Sequence, residues 1–304
     1  MLEFKPITID DLKLLNPFLK EFSSSSCQHS FAAMLGLTDK YGDEYCFIDD
    51  VLFIHRSHQD HDGYRVYLAP LGNLSTSISK YVQMIFDDAH DYGLKASFET
   101  VTEEFKNLLI DNFDSNLFDI EYNRDYSEYI YTVEGLSVLP GRDLATKRNR
   151  VHAFYSAYEG HIEIKDITPS NISDVKEFTK VWIKERMESL DDPGLESESK
   201  AISIYLNNFE ALNFRGIVVY LYGKVAGYAA GVPISSDTMD EVIEKGLRDV
   251  TGIYQLLCNE FANICCKDFA YINREEDVGL EGLRRAKESY KPYKLLNKYM
   301  IKEK

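Results

Sequence analysis

Residues 271–290 read YINREEDVGLEGLRRAKESY and place a dense run of charges between two apolar segments. The apolar run at residues 269–272 is typical of a short β-strand. Three residues recur at three-residue steps, as on one face of a helix: Leu280, Leu283 and Ala286. Residues 273–279 are therefore predicted to form a loop from a strand to a helix. Such loops, at the carboxyl ends of strands, carry the sites of many α/β proteins, although a solvated network of salt bridges would give the same pattern.

The acidic residues of this loop are candidates for a catalytic base or for binding a cationic amine: Glu275, Glu276 and Asp277. Acyl transfer needs a base that deprotonates an amine or hydroxyl acceptor, and donors for the developing oxyanion. An anionic ligand could bind nearby basic residues: Arg274, Arg284 and Lys287. Residues 284–304 hold eight basic and two acidic side chains, a local net charge of +6. The sequence therefore predicts an anion site, or a basic helix and strand that balance neighbouring carboxylates.

A second basic stretch, LPGRDLATKRNRVHAF, occupies residues 139–154. Pro140 and Gly141 break the preceding strand, and a helix is predicted to continue to Tyr158. From the residues alone this helix either links two domains with a solvated basic face or binds an anion.

The two stretches together resemble the soluble family related to the C-terminal domain of phosphatidylglycerol lysyltransferases. That family is similar to a tandem pair of acyltransferase folds of the GCN5-related N-acetyltransferase (GNAT) type, and the resemblance covers nearly the whole chain. It implies an α/β protein, with mixed sheets of the α+β type, built as two tandem GNAT-like acyltransferase domains. It also implies ligand binding or a functional domain interface for Lys147, Arg148 and Asn149. Residues 252–255 resemble the same family, which implies a substrate-binding role for Tyr254.

A length of 304 residues suits two domains of about 150 residues each. We predict an N-terminal GNAT-like domain at residues 1–140, a basic inter-domain helix at 141–160, and a C-terminal domain with the site at 161–304. In the second half, strands and helices are expected in the GNAT order, ending in a single strand at residues 293–301. The first half shows a less distinct copy, and polar segments at 23–26 and 191–197 are predicted breaks.

In a GNAT domain, the loop after the fourth strand holds the pyrophosphate of coenzyme A. Here that loop is residues 246–252, and three residues are candidates for binding the donor: Arg248, Thr251 and Gly252. Asp249 adds charge of the wrong sign, and a basic residue followed by two closely spaced glycines is absent. Acetyl-coenzyme A is therefore a less favoured donor than the aminoacyl-tRNA that the family resemblance implies.

The net charge of −16 argues against general nucleic-acid binding. No secretory signal opens the sequence, and no window of eighteen apolar residues predicts an integral membrane segment. The five cysteines include no CxxC pair and are predicted to be reduced thiols of a cytoplasmic protein.

Three histidines, His55, His58 and His61, are spaced like metal ligands. Three-residue steps alternate faces in a strand, so the rings are expected to diverge, and we predict no bound metal.

The leading functional prediction is transfer of an acyl or aminoacyl group to an amine or hydroxyl acceptor. The alternative is a catalytically silent GNAT-like protein that binds or regulates through a small anionic or zwitterionic ligand, or through a protein partner.

Overall fold

The computed structural model describes residues 2–22, 25–74, 77–189 and 194–304. The chain forms two compact units. The first comprises Met1–Glu128, Glu276–Gly279 and Leu296–Lys304, and the second comprises Tyr129–Glu275 and Leu280–Leu295. The predicted breaks at residues 23–26 and 191–197 lie partly outside the described residues.

Numbered along the chain, the strands are β1 (Lys5–Pro6), β2 (Asp43–Ile48), β3 (Val51–Arg56), β4 (Tyr64–Tyr67), β5 (Lys95–Thr102), β6 (Phe118–Tyr122), β7 (Glu128–Thr132), β8 (Ile162–Asp166), β9 (Arg215–Leu221), β10 (Lys224–Pro233), β11 (Thr238–Gly246), β12 (Tyr271–Asn273), β13 (Lys294–Leu296) and β14 (Lys298–Glu303). The helices are α1 (Leu12–Phe22), α2 (Phe31–Gly36), α3 (Thr38–Tyr41), α4 (Ile78–Asp91), α5 (Glu103–Asn112), α6 (Val133–Ser137), α7 (Ala145–Ala157), α8 (Ile172–Ser189), α9 (Gly194–Asn207), α10 (Ile253–Ile264) and α11 (Glu281–Glu288).

Two seven-stranded mixed sheets repeat one pattern of strand pairing. Their orders are β1-β2-β3-β4-β5-β14-β6 and β8-β9-β10-β11-β12-β7-β13. In both sheets the first three pairs are antiparallel, the fourth pair is parallel, and the fifth is antiparallel. This repetition confirms the predicted α/β fold with mixed sheets.

Each sheet takes its sixth strand from the other half of the chain. The first sheet receives β14, which lies between β5 and β6, while the second receives β7, which pairs with β12. Within the first unit, the fully buried Lys298 at the start of β14 forms an ion pair of 2.7 Å with Glu128. The compact units consequently differ from the predicted ranges 1–140 and 161–304.

The prediction of one strand at residues 293–301 was wrong. The segment forms β13 and β14, which belong to different sheets and are separated at Asn297. Its apolar and aromatic residues suit a strand throughout, so the composition does not show where the chain changes partners.

Local signals elsewhere account for the element bounds. Helix α5 begins after Thr102, whose hydroxyl accepts a hydrogen bond from the Phe105 amide, as an N-cap does. Helix α4 ends before Gly93, which has a positive φ of 71°. Its inward residues are buried: Tyr81, Ile85, Phe86 and Ala89.

The core of the second unit forms where α10 packs on the sheet, and it includes Leu256 and Phe261. The five cysteines are free and buried, and burial raises the pKa of Cys265 to about 12. The thiol of Cys265 is therefore protonated and unreactive at neutral pH. Among the described helices, none is long and apolar enough to cross a membrane.

Candidate functional site

A buried arginine between two glutamates forms the centre of a charged cluster in the second unit. Arg274 directly follows β12, and the parallel neighbour β11 carries Glu241 and Glu244. The Arg274 Nη2 atom lies 2.7 Å from Glu244 Oε2, and its Nε atom donates to Glu241 Oε2. The side chains of Arg274 and Glu241 are 10% and 2% exposed. This desolvated pair is strongly held because both hydrogen bonds are charge-assisted.

A bulge in β11 lets both glutamates reach the same guanidinium. Residues three apart point to opposite faces of a regular strand. Val232 of β10 pairs with Asp240, but Ala230 pairs with Ile243, so β11 contains one extra residue here. The bulge places Glu241 and Glu244 on the same side, a known way in which bulges redirect side chains.

The glutamates retain acceptor capacity that Arg274 does not use. Within the described part of the chain, the Oε1 atoms of Glu241 and Glu244 are buried and have no hydrogen-bond partner. Burial raises the pKa of Glu241 to about 7, against the lowering effect of Arg274, and the charge of Glu244 raises it further. Glu241 can therefore accept a proton near neutral pH, and the two Oε1 atoms can accept the N–H groups of a cation.

Tyrosines and lysines complete the surroundings of Arg274. Its Cζ atom lies 6.0 Å and 5.5 Å from the ring centroids of Tyr131 and Tyr290. Lys287 Nζ donates to the Arg274 carbonyl at 2.5 Å, and the Tyr131 hydroxyl donates to the Lys287 carbonyl at 2.7 Å. Lys147 Nζ lies 4.2 Å from the Tyr290 ring centroid. Burial and then neighbouring cations lower the pKa of Lys147. The structure thus brings three predicted substrate-binding residues together: Lys147, Arg274 and Lys287.

The two predicted catalytic carboxylates have separate surroundings. Glu275 belongs to the second unit, where its amide donates to Asn273 Oδ1 at 2.8 Å. Asp277 belongs to the first unit, is fully buried, and forms an ion pair of 3.2 Å with Arg124. Asp277 Oδ1 also accepts from the Gly279 amide at 3.0 Å. These contacts hold the loop of the first unit in place. Glu276 lies in that unit too, with its Oε2 atom 3.8 Å from Cys27 Sγ.

Four other predicted site residues occupy local positions in the second unit. The guanidinium of Arg148 donates to the carbonyls of Leu139 and Gly141 and so holds the turn before α7. Asn149 is exposed on α7. The Tyr254 hydroxyl donates to the Gly246 carbonyl at 3.1 Å, and Arg284 is half-buried on α11.

Helix α11 has its apolar side outward. Leu280 and Leu283 are 59% and 38% exposed, whereas Lys287 is buried. The hydrogen bonds of Lys287 with Arg274 and Tyr131 hold its face inward, so polar contacts determine the helix orientation.

The predicted donor loop lies between β11 and α10, with Gly252 at a φ of 90° before the helix. Arg248 and Asp249 line a cavity of about 380 Å³ together with Trp182, Glu185 and Arg186. Thr251 is exposed outside this lining. Arg186 and Arg248 could hold a phosphate there, although the two carboxylates oppose it electrostatically.

The three histidines bind different groups of the first unit. His55 is buried between Glu44 and Asp60, with nitrogen–oxygen distances of 3.3 Å and 3.1 Å. His58 and His61 bond to backbone carbonyl oxygens. No cluster of three metal-ligating side chains occurs among the residues with described positions.

The two sheets, with their repeated order and pairing, define a tandem protein of the GNAT fold. The chain belongs to the family described as phosphatidylglycerol lysyltransferase, C-terminal, whose model matches residues 19–302.

An uncharacterized protein of Mycoplasmoides gallisepticum is 22% identical over 187 residues, which is 61% of this chain. The match spans 59% of that relative's length.

Solved structures show the same fold. A conserved protein of unknown function from Bacteroides thetaiotaomicron VPI-5482 is 29% identical, with a TM-score of 0.92 and 100% coverage of both chains. L-PGS from Bacillus licheniformis is 15% identical, with a TM-score of 0.67, covering 96% of this chain and 91% of that one. A tandem GNAT protein from the clavulanic acid biosynthesis pathway is 10% identical, with a TM-score of 0.50, covering 100% and 98%. These likenesses confirm the tandem GNAT fold predicted from the sequence.

Proposed function

We propose that the chain is an acyl- or aminoacyltransferase whose reaction takes place beside Arg274 in the second unit. The observation that carries this proposal is the pair of buried carboxylate oxygens, on Glu241 and Glu244, without hydrogen-bond partners among the described residues. Buried polar groups are rarely left in this state unless a ligand or water completes them. Family membership supports a group-transfer reaction.

In the proposed reaction an amine or hydroxyl acceptor attacks the carbonyl carbon of the donor ester. Glu241 takes the proton from the acceptor, since its pKa of about 7 suits proton transfer at neutral pH. The bond between the acyl carbon and the donor oxygen then breaks, and that oxygen receives the proton. Glu244 and Arg274 hold Glu241 in position, and Lys147 supplies positive charge for the oxyanion. Glu275 remains a further candidate base.

We propose aminoacyl-tRNA as the donor in preference to acetyl-coenzyme A. A zwitterionic or cationic aminoacyl group complements a charged cluster in which two glutamates face one arginine. The acidic residues Glu185 and Asp249 beside Arg248 also disfavour a pyrophosphate in the neighbouring cavity. Use of this donor implies that the protein acts in the cytoplasm.

A radiolabel-transfer assay tests this function. The purified protein is incubated with a mixture of labelled aminoacyl-tRNAs, or with labelled acetyl-coenzyme A, and with hydroxylamine as a small acceptor. We expect label to leave the aminoacyl-tRNA, and Glu241→Gln to slow this step by about 100-fold because the base is lost.

Glu163→Gln, which alters an exposed carboxylate on β8, is the matched control and should retain the parent rate. Equal rates for the parent and Glu241→Gln would refute the proposed role of Glu241. Transfer from acetyl-coenzyme A alone would refute the proposed donor.

The second candidate function is a catalytically silent binding or regulatory protein. It is favoured by the contacts that Arg274 already makes. The Arg274 side chain binds two glutamates, and its carbonyl oxygen accepts a hydrogen bond from Lys287. Such a protein would be stabilised by lysine amide, a small cationic probe, without releasing label from either donor.

A further inference from the structure

A groove between α8 and α9 of the second unit forms a site separate from the Arg274 cluster. Side chains of these two helices line a cavity of about 690 Å³. Small-molecule sites commonly enclose roughly 300–1,000 Å³, so the groove is large enough for a ligand.

The floor of the groove is apolar. It is formed by three buried side chains, with a fourth at its mouth that is 47% exposed: Ile183, Ile202, Leu206 and Met187. The hydroxyl of Thr179, which also lines the groove, lies 2.7 Å from the Val175 carbonyl oxygen and 2.9 Å from the Tyr228 hydroxyl. The floor therefore presents mainly apolar surface to a ligand.

Positive charge runs along one rim. Lys176, Lys180 and Lys184 recur every four residues of α8 and so follow one ridge, about 12 Å long at ~1.5 Å per residue. Glu188 is the acidic residue among those that line the groove, which gives the lining a net charge of +2. This local sign is opposite to the net charge of −16 on the whole chain. Lysine stems can also cover an apolar chain while the ammonium groups stay in water.

We propose that this groove binds a long-chain fatty acid as its carboxylate. The hydrocarbon chain lies on Ile183, Ile202 and Leu206, and the carboxylate binds the lysine ridge. A single hydrocarbon chain suits the apolar floor, and its carboxylate complements the local net charge of +2. The site shares no residue with the proposed transfer site and does not depend on its activity.

The test uses the full chain and cis-parinaric acid, a long-chain fatty acid whose fluorescence rises in apolar surroundings. Ser203→Trp places an indole in the groove from an exposed position of α9. A second variant, Lys176→Gln/Lys180→Gln/Lys184→Gln, removes the charged ridge and leaves the floor intact. We expect saturable binding to the parent, displacement by oleate, and affinity lowered by about tenfold or more in each variant.

The matched control is Lys165→Gln/Lys224→Gln/Lys267→Gln, which removes the same charge from lysines of the second unit outside the groove. It should bind like the parent, and thermal melting identifies any variant that has lost its fold.

Three outcomes would overturn the proposal. These are equal binding by the parent and both groove variants, displacement by dodecylamine as effective as by oleate, or groove-dependent binding of phosphatidylglycerol vesicles without binding of the free fatty acid. Binding of the vesicles without the free fatty acid would show that the groove contacts a membrane.

Discussion

Titration of Glu241 links the charge of the Arg274 cluster to the stability of the second unit. Its burial favours the protonated carboxyl, so the pKa rises from 4.5 to about 7 on folding. A raised pKa means that the folded state binds the proton more tightly than the unfolded state does. The resulting stability is complete below pH ~4.5 and is lost as the pH rises through ~7, a difference of roughly 3 kcal/mol.

We therefore expect Glu241→Gln, which is neutral at every pH, to reduce the loss of stability between pH 5 and pH 8. Urea unfolding at the two pH values measures the effect, and Glu163→Gln provides the comparison at an exposed site. If the parent and Glu241→Gln lose the same free energy of unfolding over this range, Glu241 is not the titrating group.

The arrangement of the charged cluster depends on the bulge in β11. A Cβ atom on Gly231 of β10 would lie 2.0 Å from the Asp240 carbonyl oxygen, at the point where the extra residue enters β11. Glycine lets the backbone approach this closely, and any side chain would force β11 to move. The positions of Glu241 and Glu244 thus depend on a residue in the neighbouring strand.

Gly231→Ala is expected to lower the free energy of unfolding by about 1–3 kcal/mol, because overpacking displaces backbone. It should also abolish label transfer, since Glu241 leaves its place beside Arg274. Gly282→Ala on α11 is the control, because a Cβ there meets nothing within 4 Å. Chemical denaturation and the transfer assay measure both effects. Parent-like stability of Gly231→Ala would show that the bulge adapts without cost.

The sequence predicted those elements whose periodicity is local. A helix was predicted after the charged loop because Leu280, Leu283 and Ala286 recur at three-residue steps, and α11 lies there. The glutamates of the charged cluster were missed because residues three apart lie on opposite faces of a regular strand. Only the bulge brings them together, and a bulge depends on pairing with β10. The exposure of Leu280 and Leu283 could not be predicted for a similar reason. Hydrogen bonds to residues distant in the sequence set the orientation of α11.

At the scale of the whole molecule, the exchange of strands makes each compact unit depend on distant parts of the chain. The first sheet has β14 between β5 and β6, with ladders to both neighbours. Those ladders join residues 97–102 and 118–122 to residues near the end of the sequence. The composition does not reveal this strand exchange, because any strand with a suitable alternation of apolar and polar residues can occupy such a position.

The last prediction follows from this exchange. A fragment of residues 1–128 contains most of the first unit but lacks β14, so β5 and β6 lose their shared partner and Ile301 leaves the core. We expect this fragment to show no cooperative unfolding transition by circular dichroism. Appending residues 296–304 through a flexible Gly/Ser linker should restore a transition, because the missing ladders can form again. In the control, the same linker carries residues 296–304 in scrambled order. Cooperative unfolding of residues 1–128 alone would show that β14 is dispensable for folding of the first unit.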